Sequence, residues 1–418
     1  MNFIHASDIH LDSAQTGVSA KSGAPREQLK NSTRRALANM MDLALAEAVD
    51  FVLIAGDLYD GSWRDYNTGL FFAAQMARLG QIPVFIVYGN HDAQNLMTKR
   101  LQLPPNVVAF PSSKPKTEYL IDLGVAVHGQ SFADRAVLEN LAAGYPPPVD
   151  GFFNIGLLHT AADGREGHLP YAPCSVADLV AKSYDYWALG HVHAREVLWQ
   201  HPHIIFPGNL QGRHPRETGA KGCTLVRVED GHIVVAEHRP VDVLRWAALE
   251  VDVAGAVDVT AAVERVRGAL AEACDAADGR HLAVRLTLTG TCQAHGAMLA
   301  DPELVDAECR AAALAVSDAA WVEKTVLQTR PAEIAPAGIG GRPDAIGALA
   351  RSLDDVAQDP AALQALGKEL QEIVAKLPEE AKADDDLVSL LNQSRLNELV
   401  EEARALLAVR LAEGASGT

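Results

Sequence analysis

Short apolar runs alternate with longer amphipathic segments over the first 240 residues. The runs are four to six residues long, which is too short for helices, and they are too apolar for strands with one face in water. Several of them end directly in Asp, Asn or His, where the chain leaves the interior. We therefore predict six buried central strands at residues 2–7, 51–55, 83–87, 124–128, 153–158 and 186–189.

Two segments between these runs have the apolar spacing of helices. Residues 26–48 and 67–79 place apolar side chains at intervals of three and four. Strands that alternate with helices are typical of an α/β domain. Further short strands are predicted at residues 195–198, 204–206, 222–228 and 233–237.

A different pattern begins near residue 245. Strand, helix, strand, helix and strand follow one another up to residue 328, which predicts a small α+β domain. Proline and glycine then become frequent, as in a linker, and the remaining pattern is purely helical. The predicted organisation is an α/β domain at 1–243, an α+β domain at 244–330, a linker at 331–343 and a helical region at 344–418.

Charge is unevenly distributed along the 418 residues. The formal net charge is −18, which argues against nucleic-acid binding through a basic surface. Residues 1–244 carry 25 acidic and 20 basic side chains, a net of −5, whereas residues 245–418 carry 29 and 16, a net of −13. The acidic excess therefore lies outside the α/β domain, and the objection to a nucleic-acid substrate weakens.

The cysteine content and the first residues of the sequence indicate the cellular compartment. The five cysteines are an odd number without a CxxC pair, which argues against a disulfide framework and a cysteine-ligated zinc site. The chain starts without a basic leader and apolar segment, and no apolar run reaches the 18 or so residues of a membrane span. We expect a cytoplasmic protein that does not contact the membrane.

Five polar segments follow predicted strands and contain metal-binding residue types. In an α/β sheet the carboxyl ends of the strands face one crevice, so side chains far apart in sequence meet there. Taken alone, Asp8-x-His10 occurs by chance in many proteins, Gly56-Asp57 and Gly89 to Asp92 are commonplace turns, and His159 is a hydrogen-bonded core histidine. Their conjunction in one strand-end context indicates a site. The segments are Asp8-Ile9-His10, Gly56 to Asp60, Gly89-Asn90-His91-Asp92, Leu158-His159 and Gly190-His191-Val192-His193.

The chemistry of these side chains indicates divalent ions. Carboxylate, imidazole and amide ligands suit manganese, iron or zinc, and the absence of thiolate argues against structural zinc. Seven candidate ligands are too many for one ion. They suit two ions about 3.5 to 4 Å apart that share one carboxylate, an arrangement that stabilises the attacking and leaving oxygens of a phosphoryl displacement.

This series of motifs resembles the calcineurin-like metallophosphoesterase superfamily, over about residues 1–240. The resemblance implies a four-layer β-sandwich flanked by helices and two metal ions. It implies that Asp57 bridges them, and that His91 faces the scissile phosphate and protonates the leaving oxygen. For Asp92 two roles stay open, orientation of His91 or capping of a turn. The implied ligands are Asp8, His10, Asp57 and His193 for one ion, and Asp57, Asn90, His159 and His191 for the other.

One departure from the superfamily pattern narrows the substrate. Phosphoprotein phosphatases have Arg-Gly after the second motif and Glu at the end of the third, whereas Gly61 and Asp92 stand here. A protein phosphatase is therefore disfavoured. A phosphate-contacting cation must come from elsewhere, and the candidates are Arg64, Arg213 and Arg216.

A second resemblance favours one branch of the superfamily. Residues 206–217, with Phe206-Pro207-Gly208 and the run from Arg213 to Glu217, are similar to SbcD-type DNA repair exonucleases. The resemblance implies a nuclease domain, a small capping domain and a C-terminal helical region that docks a coiled-coil ATPase of the structural-maintenance-of-chromosomes type. It also suggests a homodimer. The leucines between 387 and 411 have helical spacing, which fits either that docking or packing within the chain.

The leading hypothesis is a dimetal DNA nuclease, most simply with Mn²⁺, that processes DNA ends in repair as an exonuclease, with or without additional single-strand endonuclease activity. In it a hydroxide that bridges the ions attacks the phosphodiester and His91 assists the departing sugar oxygen. One alternative is a small-molecule phosphodiesterase or phosphatase, although such an enzyme needs no additional 170 residues. The other is a scaffold that tethers DNA ends for an ATPase.

Overall fold

The structure is a computed structural model of the chain. It describes residues 1–13, 29, 31–60, 66–93, 102–164, 171–332, 348, 351–352, 355 and 359–376.

Two six-stranded sheets face each other at the centre of the fold. The first has the strand order β12-β11-β1-β2-β3-β4 and the second β5-β6-β7-β8-β10-β9. Their strands are β1 Asn2–Ala6, β2 Phe51–Ala55, β3 Val84–Val87, β4 Val107–Ala109, β5 Lys116–Leu120, β6 Val125–Gly129, β7 Phe153–His159, β8 Tyr186–Gly190, β9 Glu196–Gln200, β10 His203–Phe206, β11 Gly222–Glu229 and β12 His232–Pro240.

Helices cover the outer faces of both sheets. The helices of this part are α1 Ser32–Ala46, α2 Tyr66–Arg78 and α3 Val176–Ala181, with 3-10 turns at Ile121–Leu123 and Leu141–Gly144. On β2, Phe51 and Leu53 point into the core between the sheets, while Val52 and Ile54 pack in the cluster that contains α1 and α2. A strand buried on both faces reads as a continuous apolar run, which is why the sequence predicts these strands well.

The arrangement confirms the predicted α/β fold with two sheets between helices. All six predicted central strands are present, with ends within one residue of the prediction. Strands β4 and β5 and the six-residue helix α3 were not predicted. Helix α1 begins at Ser32, and residues 26–28 and 30 of the longer predicted helix lie outside the described residues.

The chain divides into two compact units. The first contains residues 1–248, 273–284 and 319–323, and the second contains 249–272, 285–318 and 324–418. A third sheet has the strand order β13-β14-β15. Its strands and the accompanying helices are β13 Leu244–Asp252, α4 Val259–Ala276, β14 His281–Cys292, α5 His295–Ala300, α6 Pro302–Val316 and β15 Ala320–Pro331.

These elements match the predicted α+β pattern, with α5 as an addition. Within α4 the buried side chains are Ala262, Val263, Val266 and Leu270, the spacing of a helix with one apolar face. Farther along, helix α7 covers Pro360–Ala375, inside the predicted helical region. The predicted leucine-rich segment from 387 to 411 lies outside the described residues. Over the described part of the chain, helices are too short or too polar to cross a membrane.

Candidate metal centre

Five strands deliver the predicted ligands to one edge of the sandwich. Strands β1, β2 and β3 are parallel neighbours in the first sheet, and β7 and β8 are parallel neighbours in the second. Parallel strands present their carboxyl ends at the same edge. The side chains that follow or end these strands are Asp8, Asp57, Asn90, His159 and His191.

Asp8, His10 and His193 form the first ligand group. Their ligand atoms all lie within 4.8 Å of one another. The Nε2 atoms of the two imidazoles are 3.2 Å apart, and His193 Nε2 is 3.8 Å from Asp8 Oδ1. Asp8 Oδ2 accepts hydrogen bonds from Ser7 Oγ and the backbone N–H of His191, whereas Oδ1 is buried without a hydrogen-bond partner. A buried, unpaired carboxylate oxygen facing two imidazoles is what a cation site requires.

Asp57, Asn90, His159 and His191 form the second ligand group. The ligand atoms of Asp57, His159 and His191 lie within 4.8 Å of one another, and Asn90 Oδ1 is 2.9 Å from His159 Nε2. The Nδ1 atom of His159 is 2.9 Å from the carbonyl oxygen of Ala55. A carbonyl can only accept, so Nδ1 carries the proton and Nε2 presents its lone pair to the group.

Asp57 lies between the two ligand groups. Its Oδ2 atom is 3.5 Å from His159 Nε2 and 3.9 Å from His10 Nε2, and it is almost fully buried. Oδ1 accepts the backbone N–H of His91 at 3.0 Å. A carboxylate that bridges two ions must occupy such a position.

Four of the candidate ligands have a backbone conformation that residues other than glycine rarely adopt. Asp8, His10, Asp57 and His191 all have positive φ, between 43° and 107°. For a residue other than glycine this conformation costs of order 1 kcal/mol or more, and it concentrates at functional sites. At Gly89 a Cβ would collide with Asp57 Oδ1 and the ring of His159, so glycine is needed there for close approach.

Electrostatics favours the forms that bind metal. Burial alone would raise the pKa of Asp8, but the charges of His193, His159 and His10 outweigh it and lower the pKa below its usual range. Burial lowers the pKa of His10. Both directions favour the forms in which these two residues bind metal, a carboxylate at Asp8 and a neutral imidazole at His10.

Two further carboxylates contact Nδ1 atoms of the imidazoles at this site. Asp60 Oδ1 is 3.0 Å from His10 Nδ1 and 3.3 Å from His91 Nδ1, and Glu217 Oε1 is 2.7 Å from His193 Nδ1. The hydrogen bond to Asp60 raises the pKa of His91. Burial opposes ionisation of Glu217, but the hydrogen bond and charge of His193 lower its pKa to about 2.

The sequence did not assign roles to these two carboxylates. Asp60 belongs to a predicted motif and Glu217 to the segment that resembles the exonucleases. The signal in the sequence is therefore the membership of these two segments. Their partners His10 and His193 lie 50 and 24 residues away, so the fold alone reveals the contacts.

Asp92 makes the contacts of a turn cap. Its carboxylate accepts the backbone N–H groups of Leu58, Tyr59 and Gly89 at 3.0 to 3.1 Å, and the side chain is fully buried. Burial and the charge of Asp57 raise the pKa of Asp92 to about 7. Asp60 is the carboxylate that faces the His91 ring, so of the two roles left open the geometry favours capping.

The three predicted phosphate-binding arginines have different positions. Arg213 is 14% exposed, and its guanidinium donates to Ser13 Oγ at 2.9 Å and faces Asp60 and Glu217 at 3.8 Å. Arg216 is exposed, and its backbone N–H donates to His214 Nδ1. Arg64 lies outside the described residues. The phosphate contacts stay predictions.

Comparison with known proteins is consistent with this geometry. A profile described as "Calcineurin-like phosphoesterase" matches residues 1–195, and one described as "Metallophosphoesterase YhaO, middle domain" matches residues 246–330. The chain is 40% identical over 297 residues to "Uncharacterized metallophosphoesterase YhaO" of Bacillus subtilis, an alignment that covers 70% of this chain and 72% of that protein.

Weaker similarity extends to two archaeal proteins, both named "DNA double-strand break repair protein Mre11". The protein from Sulfurisphaera tokodaii is 28% identical over 245 residues, which cover 53% of this chain and 58% of that protein. The protein from Saccharolobus solfataricus is 27% identical over 214 residues, which cover 48% and 51%.

The YhaO similarity extends across most of both chains, and the buried ligand groups fit the two metal ions that such enzymes use. The chain belongs to the calcineurin-like metallophosphoesterase family, a family of hydrolases with a dimetal centre.

Proposed function

We propose that this protein is a DNA nuclease that hydrolyses phosphodiester bonds at DNA ends, as an exonuclease with Mn²⁺ as the working metal. The observation that carries the proposal is the His91 side chain, which is 34% exposed beside ligands that are nearly all buried. A partly exposed imidazole next to a metal centre can reach a polymeric substrate at the surface. The similarity to proteins named for double-strand break repair supports DNA as that substrate.

The residues present define what each part of the site does. Asp8, His10, Asp57 and His193 would hold one ion, and Asp57, Asn90, His159 and His191 the other. When bound, the two ions supply Lewis-acid charge to the phosphoryl group and lower the pKa of water. His91 turns Nδ1 towards Asp60, so Nε2 is the atom that gives a proton to the leaving sugar oxygen.

A diester substrate also fits the distribution of cations. A phosphodiester carries one negative charge, whereas a phosphomonoester carries close to two near neutral pH. Gly61 stands where phosphoprotein phosphatases have arginine, and Arg213 is engaged by two carboxylates. Over the described residues around the ligands, the one guanidinium close to the site is already engaged by carboxylates, and such a site is better suited to the singly charged ester.

The test is hydrolysis by the full-length protein loaded with Mn²⁺. Linear duplex DNA, single-stranded DNA, closed circular DNA, bis(p-nitrophenyl) phosphate and p-nitrophenyl phosphate are compared. We expect nucleotide release from both linear DNAs and little attack on closed circles or the monoester. His91→Asn should lower the rate by about 10²- to 10⁴-fold while both ions stay bound, and the exposed His232→Asn serves as the matched control.

Two results would overturn the proposal. Rapid hydrolysis of the small diester without DNA cleavage would identify a small-molecule phosphodiesterase. DNA binding and bridging without hydrolysis of any substrate would identify a tethering scaffold. Equal rates for the parent and His91→Asn would refute the role of His91 alone.

We further propose a coiled-coil ATPase of the structural-maintenance-of-chromosomes type as partner, a homodimer, and a cytoplasmic location. The leucine pattern between 387 and 411 supports the ATPase, and five unpaired cysteines suit a reducing compartment. Replacement of Leu390, Leu391 and Leu399 by aspartate should abolish co-purification with the ATPase. Light scattering of the full chain tests the dimer.

A further inference from the structure

One carboxylate contacts the Nδ1 atom of the His193 imidazole. Glu217 Oε1 lies 2.7 Å from His193 Nδ1. The backbone carbonyl of His193 is held as well, because it accepts Lys221 Nζ at 3.0 Å and the backbone N–H of Asn209 at 3.3 Å. Both the ring and the main chain of this candidate ligand are therefore fixed by the segment from Asn209 to Lys221.

Glu217 is itself immobilised. Its second oxygen, Oε2, accepts Asn209 Nδ2 at 3.0 Å and the backbone N–H of Arg213 at 2.6 Å. The side chain is 14% exposed. A carboxylate with both oxygens engaged in a largely buried position cannot turn towards solvent, so it presents Oε1 to His193 in one orientation.

Arg213 joins this carboxylate to the one behind His10. Its Nη2 is 3.8 Å from Glu217 Oε1 and its Nη1 is 3.8 Å from Asp60 Oδ2. Asp60 in turn faces His10 Nδ1 at 3.0 Å. The guanidinium thus lies between two carboxylates, each of which orients one imidazole of the first ligand group.

We propose that Glu217 is a positioning residue of the metal centre, which acts through His193 and is coupled by Arg213 to Asp60. A carboxylate oxygen accepts, so His193 donates Nδ1–H to Glu217, and Nε2 is the ring nitrogen left to bind a cation beside Asp8 and His10. Such outer carboxylates fix the ring orientation and increase the basicity of the ligand nitrogen. The role concerns metal binding and does not depend on DNA being the substrate.

The experiment measures the affinity for Mn²⁺ of the chelator-stripped full-length protein by calorimetric titration. Glu217→Gln keeps the size of the side chain but removes its charge. We expect it to raise the dissociation constant of one of the two sites by about 10- to 100-fold. Glu237→Gln removes an equal charge from a 52% exposed glutamate that pairs with Arg239, and it should leave both sites unchanged.

A double-mutant cycle with His193→Ala separates positioning from general stability. If Glu217 acts through His193, then Glu217→Gln should change Mn²⁺ affinity less than about twofold in the His193→Ala background. An equal loss in both backgrounds, or no loss in either, would overturn the proposal. Glu217→Asp, which keeps the charge but shortens the reach, gives the same comparison if the glutamine variant does not fold, as judged by circular dichroism. Hydrolysis is not part of the readout, so a failure of the nuclease proposal is distinguishable.

Discussion

The Nε2 atoms of His10 and His193 lie 3.2 Å apart. The carboxylates of Asp60 and Glu217 contact the Nδ1 atoms of these two rings. Because both carboxylates accept Nδ1–H, both Nε2 atoms direct lone pairs at the same small volume. Two lone pairs at this separation repel unless a proton or a cation lies between them. A divalent ion that accepted both lone pairs would remove this repulsion.

Divalent ions should accordingly stabilise the fold. With free Mn²⁺ at 100 times the dissociation constant, one occupied site adds about 2.7 kcal/mol to the free energy of unfolding. The measurement is urea unfolding of the full chain with Mn²⁺ and with a chelator. His10→Ala should reduce the difference. Identical midpoints with Mn²⁺ and chelator would contradict the prediction.

Asp57 and Asn90 should differ in how many ions they affect. Asp57 Oδ2 is near both ligand groups, whereas Asn90 Oδ1 lies beside His159 of the second group. Asp57→Asn should therefore weaken the binding of both ions, whereas Asn90→Ala should weaken the binding of one ion. Elemental analysis after dialysis gives the metal content, and exposed Asp230→Asn is the control. Equal losses in the two variants would argue against a bridging role for Asp57.

Asp92 should matter more for stability than for turnover. Asp92→Ala leaves three buried backbone N–H groups without an acceptor, and we expect a loss of about 3 kcal/mol or more in the free energy of unfolding. Asp92→Asn keeps an acceptor oxygen and should lose less. Denaturant unfolding measures both variants. A stable Asp92→Asn variant with turnover as low as that of His91→Asn would instead assign Asp92 to the orientation of His91.

Acid should destabilise the fold partly through His5. This histidine is fully buried, with hydrogen-bond partners Tyr186 Oη and the carbonyl of Leu189. Burial lowers its pKa to about 3, although Leu189 and the charge of Asp8 oppose the shift. The unfolded chain binds the proton near pH 6.5 and the folded chain only near 3. The contribution of His5 is therefore complete above pH 6.5 and is lost as pH falls towards 3, by about 1.4 kcal/mol per pH unit.

The measurement is the free energy of unfolding between pH 7 and pH 4.5 in chelator. His5→Gln removes the titrating group and should flatten the decline by about 1.4 kcal/mol per pH unit, even though the variant is less stable at pH 7. His232→Gln, at an exposed position, should leave the slope of the parent. An unchanged slope in His5→Gln would show that this histidine accepts a proton in the folded state.

The sequence was most informative where burial dictates composition. Strands such as β2 are apolar on both faces and end in polar ligands, so both the strands and their convergence at one edge could be predicted. Strand β5 has exposed and half-buried positions, and β4 has three residues, so neither leaves a strong pattern. Helix α3 is too short for periodicity, but the capping box of Ser175 and Asp178 was a signal that could have located it.

The contacts behind the ligands could not be predicted in this way. The exonuclease-like segment includes Glu217, but its sequence does not reveal the role of this carboxylate, because that role depends on a histidine 24 residues away. The same holds for Asp60, which contacts rings from two different loops. Pairings of this kind are set by the tertiary fold rather than by spacing.

The origin of the ligands from two separate sheets has a mechanical consequence. Asp8, Asp57 and Asn90 follow strands of the first sheet, and His159 and His191 belong to the second. Ions held by these residues would therefore cross-link the two sheets at this end of the sandwich, and the sheets could not separate there without releasing metal. The rate at which bound Mn²⁺ exchanges with a chelator should then measure how often the two sheets separate at this end.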